Sequence, residues 1–326
     1  MIIVTGGAGF IGSAIIWELN SRGITDILVV DSFTTSSENW KNLINLKFRD
    51  YIDKDAFLAK IVGGKFQDIS GIIHLGACSD TTSRDKEFLL KNNVEYSKNL
   101  AIWCVKNGKR FVYASSASTY GDGSFGFFDD PSILPKLKPT NLYGWSKHLF
   151  DLWVLDSMLF DRIAGLKYFN VYGPNEYHKG EMCSMVYKSF NQIKSQGRVK
   201  LFKSYLTGYK DGEQSRDFIY VKDVTKATLF IFDNHCANGI FNIGSGVGRT
   251  FYDLVLAVFK SMEISPKIEY IDMPENIKEH YQYFTCADIT KLYKIGYNKK
   301  MTTLEDGISD YVKNYLMREM PYLSSK

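Results

Sequence analysis

Long apolar runs are missing from this sequence. No stretch approaches the roughly 18 to 20 consecutive apolar residues that a membrane-spanning helix needs, so no such span is expected among its 326 residues. Blocks of one charge are missing too. Forty Lys and Arg against 36 Asp and Glu leave a net charge of only +4, with no basic patch or aromatic-basic stripe of the kind that binds nucleic acid. Cysteine is sparse and odd in number: Cys78, Cys104, Cys183, Cys236 and Cys286 form no C-x-x-C pair, and the five histidines share no metal-ligand spacing. Neither a disulfide framework nor a metal site is expected, and the thiols read as those of a reduced, cytoplasmic protein. The apolar N-terminus lacks a basic flank, is broken by glycines and reaches Glu18 too soon for a secretory leader. Of only seven prolines, Pro131, Pro135 and Pro139 crowd into residues 129–140, which therefore read as an irregular lid.

What is present begins at the first residue. Ile2-Ile3-Val4 is a β-branched run, Thr5-Gly6-Gly7-Ala8-Gly9-Phe10-Ile11-Gly12 is a glycine-rich turn into a helical pattern of Ile15, Ile16 and Leu19, and Ile27-Leu28-Val29-Val30 ends in Asp31. Each glycine has a physical role if a diphosphate binds here. Gly7 permits the tight turn, Gly9 the approach of backbone to pyrophosphate, and Gly12 the packing of helix on strand. The phosphates then meet free N–H groups at the helix N-terminus. Asp31, about 20 residues beyond Gly12, stands where a carboxylate accepts hydrogen bonds from an adenosine ribose.

Strand-like and helix-like patterns then alternate. Residues 32–41 are polar and read either as a surface loop or as a flap beside the adenosine; Leu46-Lys47-Phe48 is a third-strand candidate and residues 54–61 a helix. The run Gly71-Ile72-Ile73-His74-Leu75-Gly76-Ala77-Cys78 ends in small residues, as a parallel strand does where its C-terminal edge faces a ligand. His74 reads better as a packed histidine than as a catalyst, since no carboxylate or nucleophile adjoins it. Helical periodicity covers residues 84–106, with Asn92-Asn93 either exposed amides or partners of the cofactor strand. Arg110-Phe111-Val112-Tyr113-Ala114 is another strand and runs into Ser115-Ser116-Ala117-Ser118-Thr119-Tyr120-Gly121.

This alternation predicts an α/β fold built on a doubly wound parallel sheet. A helix from Leu142 and a strand over 163–169 complete residues 1–174 as a dinucleotide-binding domain. Segments within 216–245, Phe218-Ile219-Tyr220 and Ile240-Phe241-Asn242-Ile243, are expected to return to its sheet. The remainder of 175–326 reads as a smaller α/β substrate lobe.

Tyr143 and Lys147 stand at i and i+4, on one face of that helix. An ammonium beside a phenol lowers the phenol pKa towards the range of a general base. The spacing is poor evidence alone, because Tyr322 and Lys326 repeat it at the chain end. Ser116, at a strand's C-terminal end, completes a Ser/Tyr/Lys group able to polarise an alcohol while a nicotinamide takes its hydride.

The glycine turn, the Ser-Ser-Ala-x-x-Tyr-Gly strand end and Tyr-x-x-x-Lys resemble the extended short-chain dehydrogenase/reductase family. Gly76-Ala77-Cys78-Ser79, Tyr168-Phe169-Asn170-Val171-Tyr172-Gly173-Pro174, His178-Lys179-Gly180, Arg216-Asp217-Phe218 and Tyr281-Gln282 extend the likeness over nearly the whole chain, to the ADP-L-glycero-D-manno-heptose 6-epimerase family. The resemblance implies a Rossmann-type sheet and a redox epimerisation at C6 of an ADP-heptose, supplying the lipopolysaccharide core, with Tyr143 and Lys179 as the two bases and Ser116 and Lys147 orienting oxygen and cofactor. It places Gly6, Gly7, Gly9, Phe10, Ile11, Gly12, Asp31, Ser32, Lys54, Leu75, Gly76, Ala77, Cys78, Ser79, Asn92, Tyr143, Lys147 and Val171 at the cofactor. Asn170, Glu181, Phe202, Ser204, Arg216 and Tyr281 fall to the substrate, with Arg216 on its diphosphate; the plainer reading of Arg216 is an ion pair with Asp217. A homo-oligomer, a pentamer among the options, is implied as well.

Two departures stand out: Glu181 replaces the family's usual serine, and the 202–216 segment is longer than the family pattern. The cofactor reading is divided. Asp31 alone argues for NAD, because it would repel a 2′-phosphate, whereas the resemblance implies NADP, the acid being offset by two nearby lysines, of which Lys54 matches one while the other has no clear counterpart, Glu38-Asn39 standing near its place and Lys41 slightly beyond. Three rivals remain: a 4,6-dehydratase, which needs a carboxylate beside Ser116 that Ala117-Ser118-Thr119 does not supply; a UDP-sugar 4-epimerase, whose triad is the same; and a non-catalytic NADP-binding sensor.

Overall fold

The computed structural model describes residues 1–33, 38–66, 68–278 and 281–325; residues 34–37 of the expected flap lie outside the described residues. The central sheet is built from short β-branched runs: β1 (Ile2–Thr5), β2 (Ile27–Asp31), β3 (Asp50–Asp53), β4 (Gly71–His74), β5 (Arg110–Ser116) and β6 (Ala164–Tyr168), together with β10 (Gly239–Ile243). All seven are parallel, in the order β10-β6-β5-β4-β1-β2-β3. Both faces of the inner strands are buried, which is why they read as unbroken apolar runs rather than alternating ones. The order reverses between β1 and β4, and the crevice outside that switch point is where such sheets bind ligands.

Helices α1 (Phe10–Ser21) and α7 (Val221–Asp233) cover one face, packing Ile15, Ile16, Val224 and Ala227 on Val4 and Leu166. The other face carries α2 (Lys54–Val62), the pair α3 (Lys86–Leu89) and α4 (Tyr96–Lys106), and α5 (Leu142–Asp156), whose Phe57, Leu100 and Phe150 pack on Ile3, Ile72 and Phe111. A second buried cluster lies beside the sheet, and α1 contributes Phe10 and Ala14 to it. There α6 (Met185–Gln196), α8 (Phe251–Ser261) and the helix Leu304–Tyr311 bury Phe190, Val255 and Ile308 with β8 (Val199–Phe202).

Four expectations change. Leu46 and Phe48 reach the core from a turn in which Leu46 N–H bonds Leu43 O; the third strand is instead β3, an edge strand of mixed polarity paired only with β2. Residues 86–106 run as helix, but Leu90–Glu95 form a π-helical turn between α3 and α4. The proline-rich segment is no lid: Pro131–Lys136 is a 3₁₀ helix whose Leu134 packs, with Leu137, against Tyr120, Phe127 and Phe169. Finally, only β10 returns to the main sheet. Strand β9 (Ser215–Tyr220) pairs instead with β7 (Asn170–Tyr172) and β11 (Gly248–Thr250), making a small sheet beside the switch point. β8 pairs with β12 (Ile268–Ile271).

Candidate active site

At the C-terminal edge of the sheet a cleft of about 560 Å³ lies between the two cores. Its floor is the glycine turn, and the glycines divide the work differently from expectation. Gly6 makes the turn, with φ +65° and a virtual Cβ only 2.6 Å from Gly76 N. Gly7 is the packing glycine, hemmed in by Val29 and Val4 O, both at 2.9 Å. A Cβ on Gly12 would stand 2.0 Å from Gly6 O, so this residue lets α1 close on the glycine turn itself rather than on a strand. Helix α1 starts at Gly9 without a side-chain cap and without an acidic residue in its first turn. Its leading N–H groups therefore suit an anion, and the residues present fit a dinucleotide diphosphate. Asp31 closes this end: its Oδ2 accepts from Ala8 N–H and its Oδ1 from Ser32 N–H, both at 2.8 Å, while burial raises its carboxyl above the usual range.

The ends of β4 and β5 supply the next wall. Leu75, Gly76, Ala77 and Ser79 line the cleft, as do Ser116, Tyr143 and Lys147. α5 presents the last two because Asn141 caps it, its Oδ1 accepting from Gly144 N–H at 2.8 Å. Ser116 stands beside the Tyr143 phenol and favours its ionised form. The expected lowering of that phenol is not found: burial raises it, with the Ser116 contact opposing. Lys147 directs its ammonium to Ala114 O at 2.9 Å, and burial depresses it to about 8 against the pull of Asp151. Beneath it Asp151 and Lys167 form an ion pair of 2.8 Å, both fully buried, joined by Tyr113 and Ser115.

A third wall comes from the turn Tyr177–Met182. Lys179 lines the cleft with its ammonium 5.4 Å from the centre of the Phe10 ring, and Asn170 and Val171 join it from β7. Several residues here go beyond the sequence reading. His178, Met182, Cys183 and Ser184 line the cleft, and Asn42 Nδ2 donates to Ala8 O at 2.9 Å while lying 3.3 Å from His178 Nδ1, linking the glycine turn to this one. The adjacency of His178 to Lys179 in sequence is the available signal; Asn42 offers none.

Other expected residues lie off the cleft wall. Asn92 turns its amide back to Phe88 O, and it is Asn93 that reaches the cofactor strand, clamping Cys78 through N–H to Oδ1 at 2.8 Å and Nδ2 to O at 3.0 Å. The π-turn brings Asn93 inward. Glu181 is exposed and pairs with Lys188. Lys54 pairs with Asp55 and Lys41 with Glu38. Phe202, Arg216 and Tyr281 gather beside the cleft instead: Arg216 lies 5.2 Å from the Tyr281 ring and 5.7 Å from that of Phe251, a cleft-lining residue, and Tyr281 meets Phe202 edge-on. Ser204 stays on the adjoining loop, its N–H bonded to Asp211. The Arg216–Asp217 ion pair is absent, because successive strand residues face opposite sides and Asp217 accepts from Ser245, Gly246 and Ala287.

Comparison with known proteins places this geometry. The NAD dependent epimerase/dehydratase family matches residues 2–244. The chain is 51% identical over 324 residues to the ADP-L-glycero-D-manno-heptose-6-epimerase of Nitratidesulfovibrio vulgaris, covering 99% of this chain and 100% of that one. The crystal structure of the Helicobacter pylori ADP-L-glycero-D-manno-heptose-6-epimerase superposes with a TM-score of 0.78 at 28% identity, over 96% of this chain and 95% of that one. A UDP-N-acetylglucosamine 4-epimerase from Methanobrevibacter ruminantium gives 0.77 at 26% identity, over 96% of each.

Proposed function

The chain belongs to the NAD dependent epimerase/dehydratase family and is an isomerase that works with a nicotinamide cofactor, and from that premise we propose that it converts ADP-D-glycero-D-manno-heptose to ADP-L-glycero-D-manno-heptose by inversion at C6. The carrying observation is that two candidate bases, Tyr143 on α5 and Lys179 on the Tyr177–Met182 turn, reach one cleft from different elements. Full-length identity of 51% to a heptose epimerase supports this substrate over the UDP-sugars of the more distant neighbour.

Inverting a secondary alcohol through a ketone removes a proton from oxygen and a hydride from carbon, then returns both with the new hydrogen on the other face. The bound nicotinamide supplies the hydride exchange. Tyr143 takes the hydroxyl proton of one epimer and Lys179 that of the other, each returning it in the reverse direction. Ser116, beside the Tyr143 phenol in the cleft, orients the substrate oxygen. Lys147 holds the cofactor side from Ala114 O. Arg216, buried between two aromatic rings without a carboxylate partner among the described residues, receives the diphosphate in bidentate fashion.

For the cofactor, geometry favours NAD over the NADP that the resemblance implied. The Asp53 charge adds to that of Asp31 and raises its carboxyl further, while Lys54, the lysine expected to offset it, pairs with Asp55, and Lys41 pairs with Glu38. The same reading carries a cytoplasmic homo-oligomer; no helix among the described residues is long and apolar enough to cross a membrane.

The test is NMR of ADP-D-glycero-D-manno-heptose incubated with the purified protein and no added cofactor. Signals of the L-epimer are expected, and preference for a UDP-hexose would overturn the substrate. Tyr143→Phe and Lys179→Ala should each cut steady-state turnover by roughly 10²- to 10⁴-fold; near-normal rates in both would sink the two-base assignment.

A further inference from the structure

Lys179 sits on an irregular excursion between β7 and α6, a poor platform for a group that must meet a substrate hydroxyl. Three observations show how the excursion is held. Its first residues are pinned: Asn175, at φ +78°, donates to Ser13 Oγ of α1 and accepts from Leu323 N–H, both at 2.9 Å. Its middle is tied locally, Lys179 N–H bonding Glu176 O at 3.0 Å and the Cys183 thiol meeting the same oxygen at 3.2 Å. Its ends are joined by one side chain. The Glu176 carboxylate, with 0% exposure, accepts from Ser184 Oγ at 2.7 Å and Gly173 N–H at 3.3 Å through Oε1, and from Ser184 N–H through Oε2.

Gly173 follows the end of β7 and Ser184 caps α6, so this carboxylate spans the gap that the excursion leaves. Burying an ionised carboxylate is costly unless its oxygens are bonded and a countercharge is near. Here burial is the largest influence and raises the Glu176 carboxyl, while the bonds from Ser184 and Gly173 to its two oxygens and the Lys179 ammonium oppose that rise and favour the ionised form. An apolar side chain would fill the space at less cost but could not hold both ends. We propose that Glu176 is the positioning residue for Lys179, a buried carboxylate that staples the two ends of the Lys179 turn and fixes the ammonium in the cleft. This rests on the two-base reading above.

The experiment compares Glu176→Ala and Glu176→Gln with Lys179→Ala in the full chain with its bound nucleotide. The glutamine keeps one acceptor but sets an N–H₂ against Ser184 N–H, so it should fall between wild type and alanine. Epimerisation by Glu176→Ala should drop about 10²-fold, the scale of a misplacement near 1 Å. Two further readouts separate positioning from general damage. Amide hydrogen exchange should quicken at Lys179 and Cys183 while the α5 amides stay protected. Single-turnover oxidation, started separately from each epimer, should fail for the same one epimer in Glu176→Ala and Lys179→Ala and proceed for the other. Equal slowing of both epimers in the Glu176 variants, or unchanged exchange in the turn, overturns the positioning role. If Lys179→Ala itself oxidises both epimers normally, the two-base reading fails whatever Glu176 does.

Discussion

His74 shows how one residue type changes meaning with its surroundings. Thr5 Oγ1 at 2.6 Å and Ser97 Oγ at 2.8 Å occupy its two nitrogens, and burial, aided by the Lys147 charge, depresses it to about 3 from an ordinary 6.5. It is a packed, neutral histidine, as its lack of reactive neighbours in sequence suggested. The unfolded chain takes up a proton near pH 6.5 that the folded chain refuses. Its stabilising contribution is therefore complete above pH 6.5 and is lost as pH falls towards 3. In urea titrations the stability gap between wild type and His74→Asn should shrink by about 2 kcal/mol from pH 7 to pH 5; a gap independent of pH would contradict a neutral His74. At the same scale, Tyr143 and Lys147 were legible from spacing, but the phenol's environment was not. Helix geometry fixes which face two residues share; desolvation by distant segments fixes their proton affinity.

Among the elements, α5 matters most to the site, because its first three turns carry Tyr143, Lys147 and Asp151 in succession. One cap sets its start. Asn141→Ala removes the bond to Gly144 N–H and should cost about 1 kcal/mol of stability, measurable by denaturant midpoint, together with a fall in kcat as Tyr143 frays from Ser116. Loss of stability with unchanged kcat would mean that packing alone fixes the Tyr143 register. Elements were legible where burial is two-sided, as in β1, β4 and β5. They were misread at β3, where an edge strand of mixed polarity carries no run, and at Leu90–Glu95, where the π-turn that rotates Asn93 inward and leaves Asn92 outside has no periodicity of its own.

For the whole molecule, the cleft lies between two buried clusters, and its walls come from residues of both. A dinucleotide retained there binds only the folded chain and should stabilise it by mass action, about 2.7 kcal/mol at a hundredfold excess over Kd. Protein stripped of nucleotide should melt at a lower temperature, and NAD should restore the melt more fully than NADP at equal concentration. Mass spectrometry of the nucleotide released by denaturation checks the identity directly; NADP alone would reverse the reading of Asp31. Equal melting of stripped and loaded protein would remove the cleft as the retained site.

The sequence by itself determined the alternation of buried strands and amphipathic helices, and with it the parallel doubly wound sheet, because those signals are local in period. It also determined the glycine turn and the Tyr143/Lys147 pair, whose chemistry depends on spacing within one element. Tertiary structure alone decided that β9 leaves the main sheet for β7 and β11, that Arg216 faces aromatic rings rather than Asp217, and that Glu176 bridges Gly173 and Ser184. Each depends on which residues remote in the chain, or across a turn, come within hydrogen-bond or packing distance, and no periodicity along a single segment encodes that.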